Sequence, residues 1–381
     1  DQCKETINSE ILAKWREGEF YLPQHTQAHH YDDGKVKIYN LLPDNIKLLG
    51  IRVDNDRLIP INGEIPGHDN NAYNPYIIDT NLTSFLDDKL ELVTQYQGKI
   101  KYQKLYKTLI SGVKNPLLEE NVLNFDFVNK KDDDTWVIPK GEWIVKSPII
   151  VNGNLIIEPD VKLLFDDHAY LVVHGRIVAN GKKHQKIILT SKNKSWMGLY
   201  VYESKLDSSL NNVVISNTSS INDKLLKLSG GVTFYKSNVN ITNSKFTSST
   251  AEDMLNFVKS KYVISDSVML SARSDAIDSD FSDGYIRNLI IDNVGGDAID
   301  TSGTNLKILN LKVSQVIDKA ISAGESSKVS ISKCSLENVG VGIASKDGSH
   351  VLASECNIKN VELAALMSYV KKDFYGNPSL N

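Results

Sequence analysis

The chain has 381 residues, 41% of them hydrophobic and 24% charged, with a net charge of −4. That length allows two domains, or one domain plus a long repeat array. The acidic balance excludes a basic nucleic-acid binder and favours neutral, cationic or metal-bridged partners over phosphate chains. No run of eighteen apolar residues occurs, so no membrane-spanning helix is expected.

Three cysteines, Cys3, Cys334 and Cys356, are too few for a disulfide framework. The first residue is Asp1 rather than Met, as in a processed or trimmed chain. Abundant Asn, Ser and Lys suit an all-β protein. The expected location is secreted or cell envelope, periplasmic or extracellular.

Residues 1–135 carry no repeat. Ile7 to Glu17 reads as one short helix capped by Asn8 or Ser9. Alternating runs follow at Val36–Leu42, Ile46–Val53, Leu90–Tyr96 and Ile100–Leu109, the period-two pattern of half-buried antiparallel strands. Turn clusters at Asp32-Asp33-Gly34 and Gly67–Asn74 separate them. The reading is a small β-rich, sandwich-like N-terminal domain, a surface on which an envelope protein partner could dock. Residues Asn129–Thr135 form a polar joint. His25, His29 and His30 crowd as metal ligands do, but no element is predicted to fix them, so they read as loop histidines. His168, His174 and His184 read as surface positions.

From Trp136 the pattern changes. Short apolar strands are punctuated by Gly and Asn: Ile144 to Asp160, Leu163-Leu-Phe165, Tyr170 to Gly181, Ile187-Ile-Leu-Thr-Ser191 and Trp196-Met-Gly-Leu-Tyr200. This stretch resembles the opening turns of the pectate-lyase-like superfamily of right-handed parallel β-helices. The resemblance covers roughly residues 140–200 and implies a fold without an activity.

The repeat is clearest after residue 230. Coils starting at Gly230, Glu252, Asp275, Asp297, Lys319, Gly342 and Ala364 follow one another by 22 or 23 residues. Two positions on stand Val232, Met254, Ile277, Ile299, Ile321, Ala344 and Leu366. Further along stand Ile241, Val263, Ile286, Ile308, Ile331 and Ala353. Near the coil ends stand Val294, Val316, Val339 and Val361, preceded by Asn293, Gln315, Asn338 and Asn360. Such columns arise because one coil cannot bury its apolar face alone; stacking at ~4.8 Å makes a continuous core. The polar column suits an amide ladder at a turn. The fold class is therefore all-β, a right-handed single-stranded parallel β-helix over residues 136–381. Cys334 and Cys356 share one column: they read first as buried thiols, although a disulfide between neighbouring coils also fits.

The chemistry concentrates in one place. The coil-start row brings Glu252, Asp275, Asp297 and Lys319 together, and a second row holds Asp278 and Asp300. Asp280, Asp283 and Glu325 fall in the turns that follow. Like charges in register repel, which marks this patch as the best candidate site. Adjacent coils suit the ~5–5.5 Å carboxyl spacing of retaining glycosidases, so Asp275 with Asp297 fits that class. Glu252 with Asp297, two coils apart, fits the ~6.5–9.5 Å spacing of inverting ones. Coupling is expected to raise one pKa of the pair, with Lys319 holding Asp297 ionised. Strict alternation puts Asp275 and Ile277 on one side, which the apolar Ile277 column contradicts. Either the strand ends there or Asp275 is a turn residue.

Asp275-Ala-Ile-Asp278 and, 22 residues on, Gly296-Asp-Ala-Ile-Asp-Thr-Ser-Gly-Thr-Asn305 resemble the polygalacturonase family, with its N-T-D-A-F-D and D-D-C-x-A-x-x-S-G-x-N coils. The resemblance covers about fifty residues. It implies catalytic carboxylates at Asp275 and Asp297, with Lys319 near the family's histidine. The R-I-K signature of that family is absent, and the second coil has one leading Asp instead of two.

The expected site is therefore Asp275, Asp297, Lys319 and Glu252 for catalysis, with Asp278, Asp300, Arg273 and Glu325 holding substrate. Three readings of the carboxylates stay open: a carbohydrate-active centre, a solvated turn stack neutralised by Lys319 and Arg273, or a structural Ca²⁺ site. Trp196, Tyr200, Tyr202, Phe234, Tyr235 and Phe257 are candidates for a sugar-stacking strip, about half of them core. The functional expectation is a glycoside hydrolase or lyase acting on an extracellular or envelope polysaccharide. The alternative is a non-catalytic carbohydrate-binding or assembly scaffold.

Overall fold

A computed structural model describes residues 25–31, 34–42, 44–54, 57–67, 75–80, 90–108, 120–223 and 226–381. The helix expected at 7–17, Cys3, Asp32-Asp33 and turn residues 68–74 lie outside the described residues. The chain forms two compact units, Asp1–Lys114 and Asn115–Asn381.

The first unit holds two four-stranded sheets. One runs in the order Tyr76–Asp79, Lys35–Asn40, Thr26–Tyr31, Tyr106–Thr108; the other runs Arg57–Ile65, Ile46–Val53, Leu90–Tyr96, Lys99–Lys104. Alternation explains the strands: Val36, Ile38, Ile46, Leu48 and Leu92 all point into one core shared by both sheets. All pairings are antiparallel except that of Thr26–Tyr31 with Tyr106–Thr108. His29 and His30 lie on a strand rather than in a loop.

The second unit is the solenoid. In its regular coils each strand pairs in parallel with the strand three further on, giving three parallel sheets around one apolar interior. Residues 129–135 are not a free joint. Asn129–Asp132 pairs antiparallel with Thr135–Ile138, and Val122, Phe125 and Val128 enter the interior core.

The apolar columns form as expected, with single-residue corrections. Leu255, not Met254, is in register with Ile277 and Ile299, and Ile343, not Ala344, with Ile321 and Leu366. Ile264, not Val263, stands between Ile241 and Ile286. Val294, Val316, Val339 and Val361 pair as read. The turn column before them is left-handed, with Asn293, Gln315, Asn338 and Asn360 at φ 60, 55, 54 and 50°. Asn tolerates that region by local hydrogen bonding, and Asn360 Nδ2 donates to Asn338 Oδ1 at 3.1 Å.

A second ladder lies at another corner. The hydroxyls of Ser260, Ser282, Thr304, Ser327 and Ser349 each accept the backbone N–H of the coil before, from Ser237, Ser260, Ser282, Thr304 and Ser327, at 3.0–3.1 Å. These buried N–H groups would otherwise lack partners where the ladder turns. Cys334 and Cys356, read first as thiols, are joined by a disulfide between adjacent coils, Cα–Cα 4.4 Å.

Candidate active site on the outer face of one sheet

The candidate residues gather on the outer face of the sheet that contains Leu199–Tyr202, Val232–Tyr235, Asp253–Val258, Asp275–Asp280 and Ile299–Ser302. The parity question resolves at the corner. The paired ladder runs inward at Ile277 and Ser279, both buried, and outward at Asp278 and Asp280; Ala276 is buried in the bend before it. Asp275 is thus a corner residue, and it and Asp278 both face out of the coil.

Three outward rows result. The first is the corner row. Asp253, Asp275, Asp297 and Lys319 follow one another, because Gly230 bridges Asp253 and Asp253 is in register with Asp275. Glu252, expected here, is exposed outside the row and contributes only its carbonyl, which accepts the Asp275 N–H at 2.9 Å. The coil entered at Gly230 is one residue longer than the sequence columns suggest, and Asp253 takes the place. The wide carboxylate pair expected of Glu252 and Asp297 therefore belongs to Asp253 and Asp297.

The second row reads Tyr200, Thr233, Asn256, Asp278, Asp300, Ser322. The third reads Tyr202, Tyr235, Val258, Asp280, Ser302, Gly324. Adjacent members of a row are one coil apart, ~4.8 Å.

The corner carboxylates serve the backbone. Asp275 Oδ1 accepts the Asp297 N–H at 2.8 Å, and Asp297 Oδ1 accepts the Lys319 N–H at 2.9 Å. Lys319 Nζ also reaches Asp297 Oδ1 at 3.2 Å and Asp318 Oδ2 at 2.5 Å. In the second row Asn256 Nδ2 donates to both Asp253 Oδ2, 3.1 Å, and Asp278 Oδ2, 2.9 Å. Lys346 Nζ lies 3.7 Å from Asp300 Oδ1. Glu325 accepts from Ser302 Oγ at 2.6 Å and pairs with Lys372. Among the described residues Arg273 is exposed and pairs with none of these carboxylates.

Burial sets the electrostatics. It pushes Asp278 up to about 9, and repulsion from Asp280, Asp253, Asp300 and Asp275 adds to it. Burial raises Asp275 to about 6 in spite of the Asp297 N–H. Asp297 also rises to about 6, from burial and Asp300; Lys319 does not hold it in the usual carboxylate range, contrary to expectation. Asp253 and Asp280 are raised by burial too. Glu325 is held low, because its bonds to Lys372 and Ser302 outweigh its desolvation.

Beside the acidic coils the same face is aromatic. Tyr202 and Tyr235 stack with ring centroids 5.7 Å apart, and His174 lies 5.2 Å from Tyr202. Tyr200 is buried with Ile150, Tyr170 and Val172 under the hairpin of Ile221–Asp223 and Leu226–Leu228. Trp196, Phe234 and Phe257 are interior. Of the six aromatics singled out, Tyr202 and Tyr235 remain available to a ligand.

Sequence reasoning missed Lys346 and Asn256 as well as Asp253. Lys346 belongs to the third row two coils beyond Ser302, so only a correct register exposes it. Among the described residues no three His, Cys, Asp or Glu side chains converge in metal-holding geometry, so the Ca²⁺ reading gains no support from the acidic rows. A cavity of about 790 Å³ lies elsewhere, along Tyr262, Tyr285, Leu306 and Val329, and includes none of Asp275, Asp278, Asp297 or Asp300.

Residues 254–374 match the family described as right handed beta helix region. No curated protein matches the chain. Among solved structures, the catalytic domain of a GH87 α-1,3-glucanase variant in complex with tetrasaccharides aligns at 10% identity over 93% of this chain and 91% of that one, TM-score 0.25. The catalytic unit of the thermostable GH87 α-1,3-glucanase from Streptomyces thermodiastaticus strain HF3-3 aligns at 10% identity over 95% and 92%, TM-score 0.23. The GH87 α-1,3-glucanase domain in complex with nigerose aligns at 10% identity over 88% and 90%, TM-score 0.25. Scores this low say nothing about activity. Strand register makes the second unit a right-handed parallel β-helix, and the family match agrees over residues 254–374.

Proposed function

We propose that this β-helix is a carbohydrate-active protein, a glycoside hydrolase whose centre is the pair Asp278 and Asp300. One observation supports this most. The two carboxyls are register partners on an outward face, yet their surroundings differ: Asp278 is half-buried beside Asn256 and other carboxylates, and Asp300 has the Lys346 ammonium as counter-charge. A carboxyl pushed toward its protonated form beside a second carboxyl in a different environment is what acid–base cleavage of a glycosidic bond needs. Asp278, still protonated at neutral pH, donates to the leaving oxygen. Asp300, with the Lys346 ammonium as counter-charge, attacks the anomeric carbon or stabilises its charge. Their one-coil spacing of ~4.8 Å suits the retaining class. Tyr202 and Tyr235, stacked on each other, offer their edges and hydroxyls to a sugar chain along the same axis.

Asp275 and Asp297 keep a supporting role in this reading, each spending one oxygen on the next coil's N–H. Glu325 and Lys319 border the groove. Hydrolysis is favoured over lyase chemistry: a lyase needs a base to abstract a proton and a cation over the uronate, whereas here the central carboxyl carries a proton. The scaffold alternative draws on one observation, the backbone-capping hydrogen bonds of Asp275 and Asp297, which explain those two acids without catalysis. A secreted or envelope location draws on the Cys334–Cys356 disulfide, which suits an oxidising compartment. No helix among the described residues is long and apolar enough to cross a membrane. Docking of an envelope partner on the first unit stays part of the proposal. The test is to incubate the full chain with a panel of polysaccharides. New reducing ends without unsaturated-product absorbance, lost in Asp278→Asn, support the reading; unsaturated products, or no turnover on any polymer, overturn it.

A further inference from the structure

Charge is distributed unevenly along the acidic face. In the later coils each carboxylate has an ammonium: Asp297 has Lys319, Asp300 has Lys346 and Glu325 has Lys372. In the earlier coils Asp253, Asp275, Asp278 and Asp280 have none within ion-pair distance, although all are described. Asp253 relies on Ser229 Oγ at 2.9 Å and on Asn256, whose single amide it shares with Asp278. Asp253 and Asp275 are stacked one coil apart, and Asp278 and Asp280 follow Asp275 along the same strand; four carboxylates on one face without a cation leave room for a positive group from outside.

A separate feature also points to a ligand. Thr233 is 6% exposed and its hydroxyl has no hydrogen-bond partner. Val232 and Phe234 on either side of it face the interior core, so Thr233 points out, in the row of Asn256 and Asp278. It is a buried donor waiting on the same recess. Next to it the Tyr202–Tyr235 stack runs in one row into Asp280. Lys236, over the Tyr235 ring at 5.1 Å, is already paired with Glu203 at 2.7 Å and leaves the carboxylates unneutralised.

Resting on the hydrolase reading above, we propose that the substrate is an amine-bearing polysaccharide, a chain of hexosamine units with free amino groups. Its ammonium sits on Asp280, in the row that leads to the tyrosines, and neighbouring units run past the edges of Tyr235 and Tyr202. The chain lies along the solenoid axis, where one coil step matches about one sugar ring. A polyuronate would bring carboxylates onto carboxylates and is disfavoured. An N-acetylated chain keeps the rings but loses the charge. An ammonium seated there favours the ionised form of Asp280, whose pKa burial raises, so binding releases protons to the buffer.

The experiment is calorimetric binding of glucosamine, N-acetylglucosamine and galacturonate hexamers to the full chain at low salt, repeated in buffers of different ionisation heat. The glucosamine hexamer is expected to bind at least roughly tenfold tighter than the N-acetylated one. That preference should shrink with added salt, release protons and disappear in D280N. Equal or weaker binding of the glucosamine hexamer, stronger binding of galacturonate, or a preference unchanged in D280N overturns the proposal. Failure of the hydrolase reading looks different: amine-selective binding without cleavage removes catalysis and leaves this inference, whereas cleavage of neutral chains without amine preference does the reverse.

Discussion

Asp278 and Asp300 stand in register on adjacent coils, one sharing the Asn256 amide with Asp253, the other 3.7 Å from the Lys346 ammonium. This unequal treatment of equal side chains separates them from the corner pair, Asp275 and Asp297, which make matching hydrogen bonds to the next coil.

Activity should therefore depend on the rows unequally. Asp278→Asn and Asp300→Asn are each expected to lower kcat by about 10²-fold or more. Asp275→Asn and Asp297→Asn keep an acceptor for the N–H and should lose less than about tenfold. Steady-state kinetics of the four variants on the best polymer checks this; a larger loss at the corner than at Asp278 returns catalysis to Asp275 and Asp297. The alkaline limb of kcat/KM in the parent chain should fall near about 9, where Asp278 gives up its proton.

Stability should fall as pH rises. A carboxyl raised in the folded state binds its proton there when the unfolded chain has already lost it. Its contribution is fully present below the unfolded value of 3.8 and is lost as pH climbs through the folded value, about 6 for Asp275 and Asp297 and about 9 for Asp278. Asp278→Asn removes the largest of these penalties. Its Tm should match the parent chain at pH 4 and exceed it at pH 8, by roughly 1–3 kcal/mol in stability. A Tm difference that does not change with pH contradicts the assignment.

The serine ladder gives a prediction independent of function. Ser282 Oγ accepts the Ser260 N–H at 3.0 Å within a buried corner. Ser282→Ala strands that N–H and should cost about 1–3 kcal/mol. Exposed Asn240→Ala, on a sheet face, should cost less than about 0.5 kcal/mol. Denaturant midpoints of the two variants compare them.

The Cys334–Cys356 disulfide closes a separation of 22 residues between neighbouring coils. Reduction, or Cys334→Ala with Cys356→Ala, should lower stability by about 2–4 kcal/mol. A Tm insensitive to reductant, or free thiols in the protein as isolated, would argue against the oxidising location.

Much of this was legible because a solenoid writes its register into the sequence. The Val294–Val361 column and its Asn turns needed only counting. Glu252 was misplaced, and Asp253 missed, because an occasional 23-residue coil interrupts coils of 22 and a Glu-Asp pair gives no sign of where the extra residue sits. The Ser260, Ser282, Thr304, Ser327 and Ser349 spacing was visible but reads as surface polarity until burial is known. Asp278 could not be told from Asp300 by sequence, since what separates them is an amide one coil earlier and an ammonium two coils later.

Each coil touches only its neighbours, so the span between the tyrosine stack and the Asp278–Asp300 pair changes only in whole coil steps. Removing or duplicating one coil between Tyr235 and Asp278 would shift the platform by ~4.8 Å and leave both ends intact. The molecule is in this sense a ruler, and under the hydrolase proposal the length of oligosaccharide released would be set by how many marks lie between grip and cut.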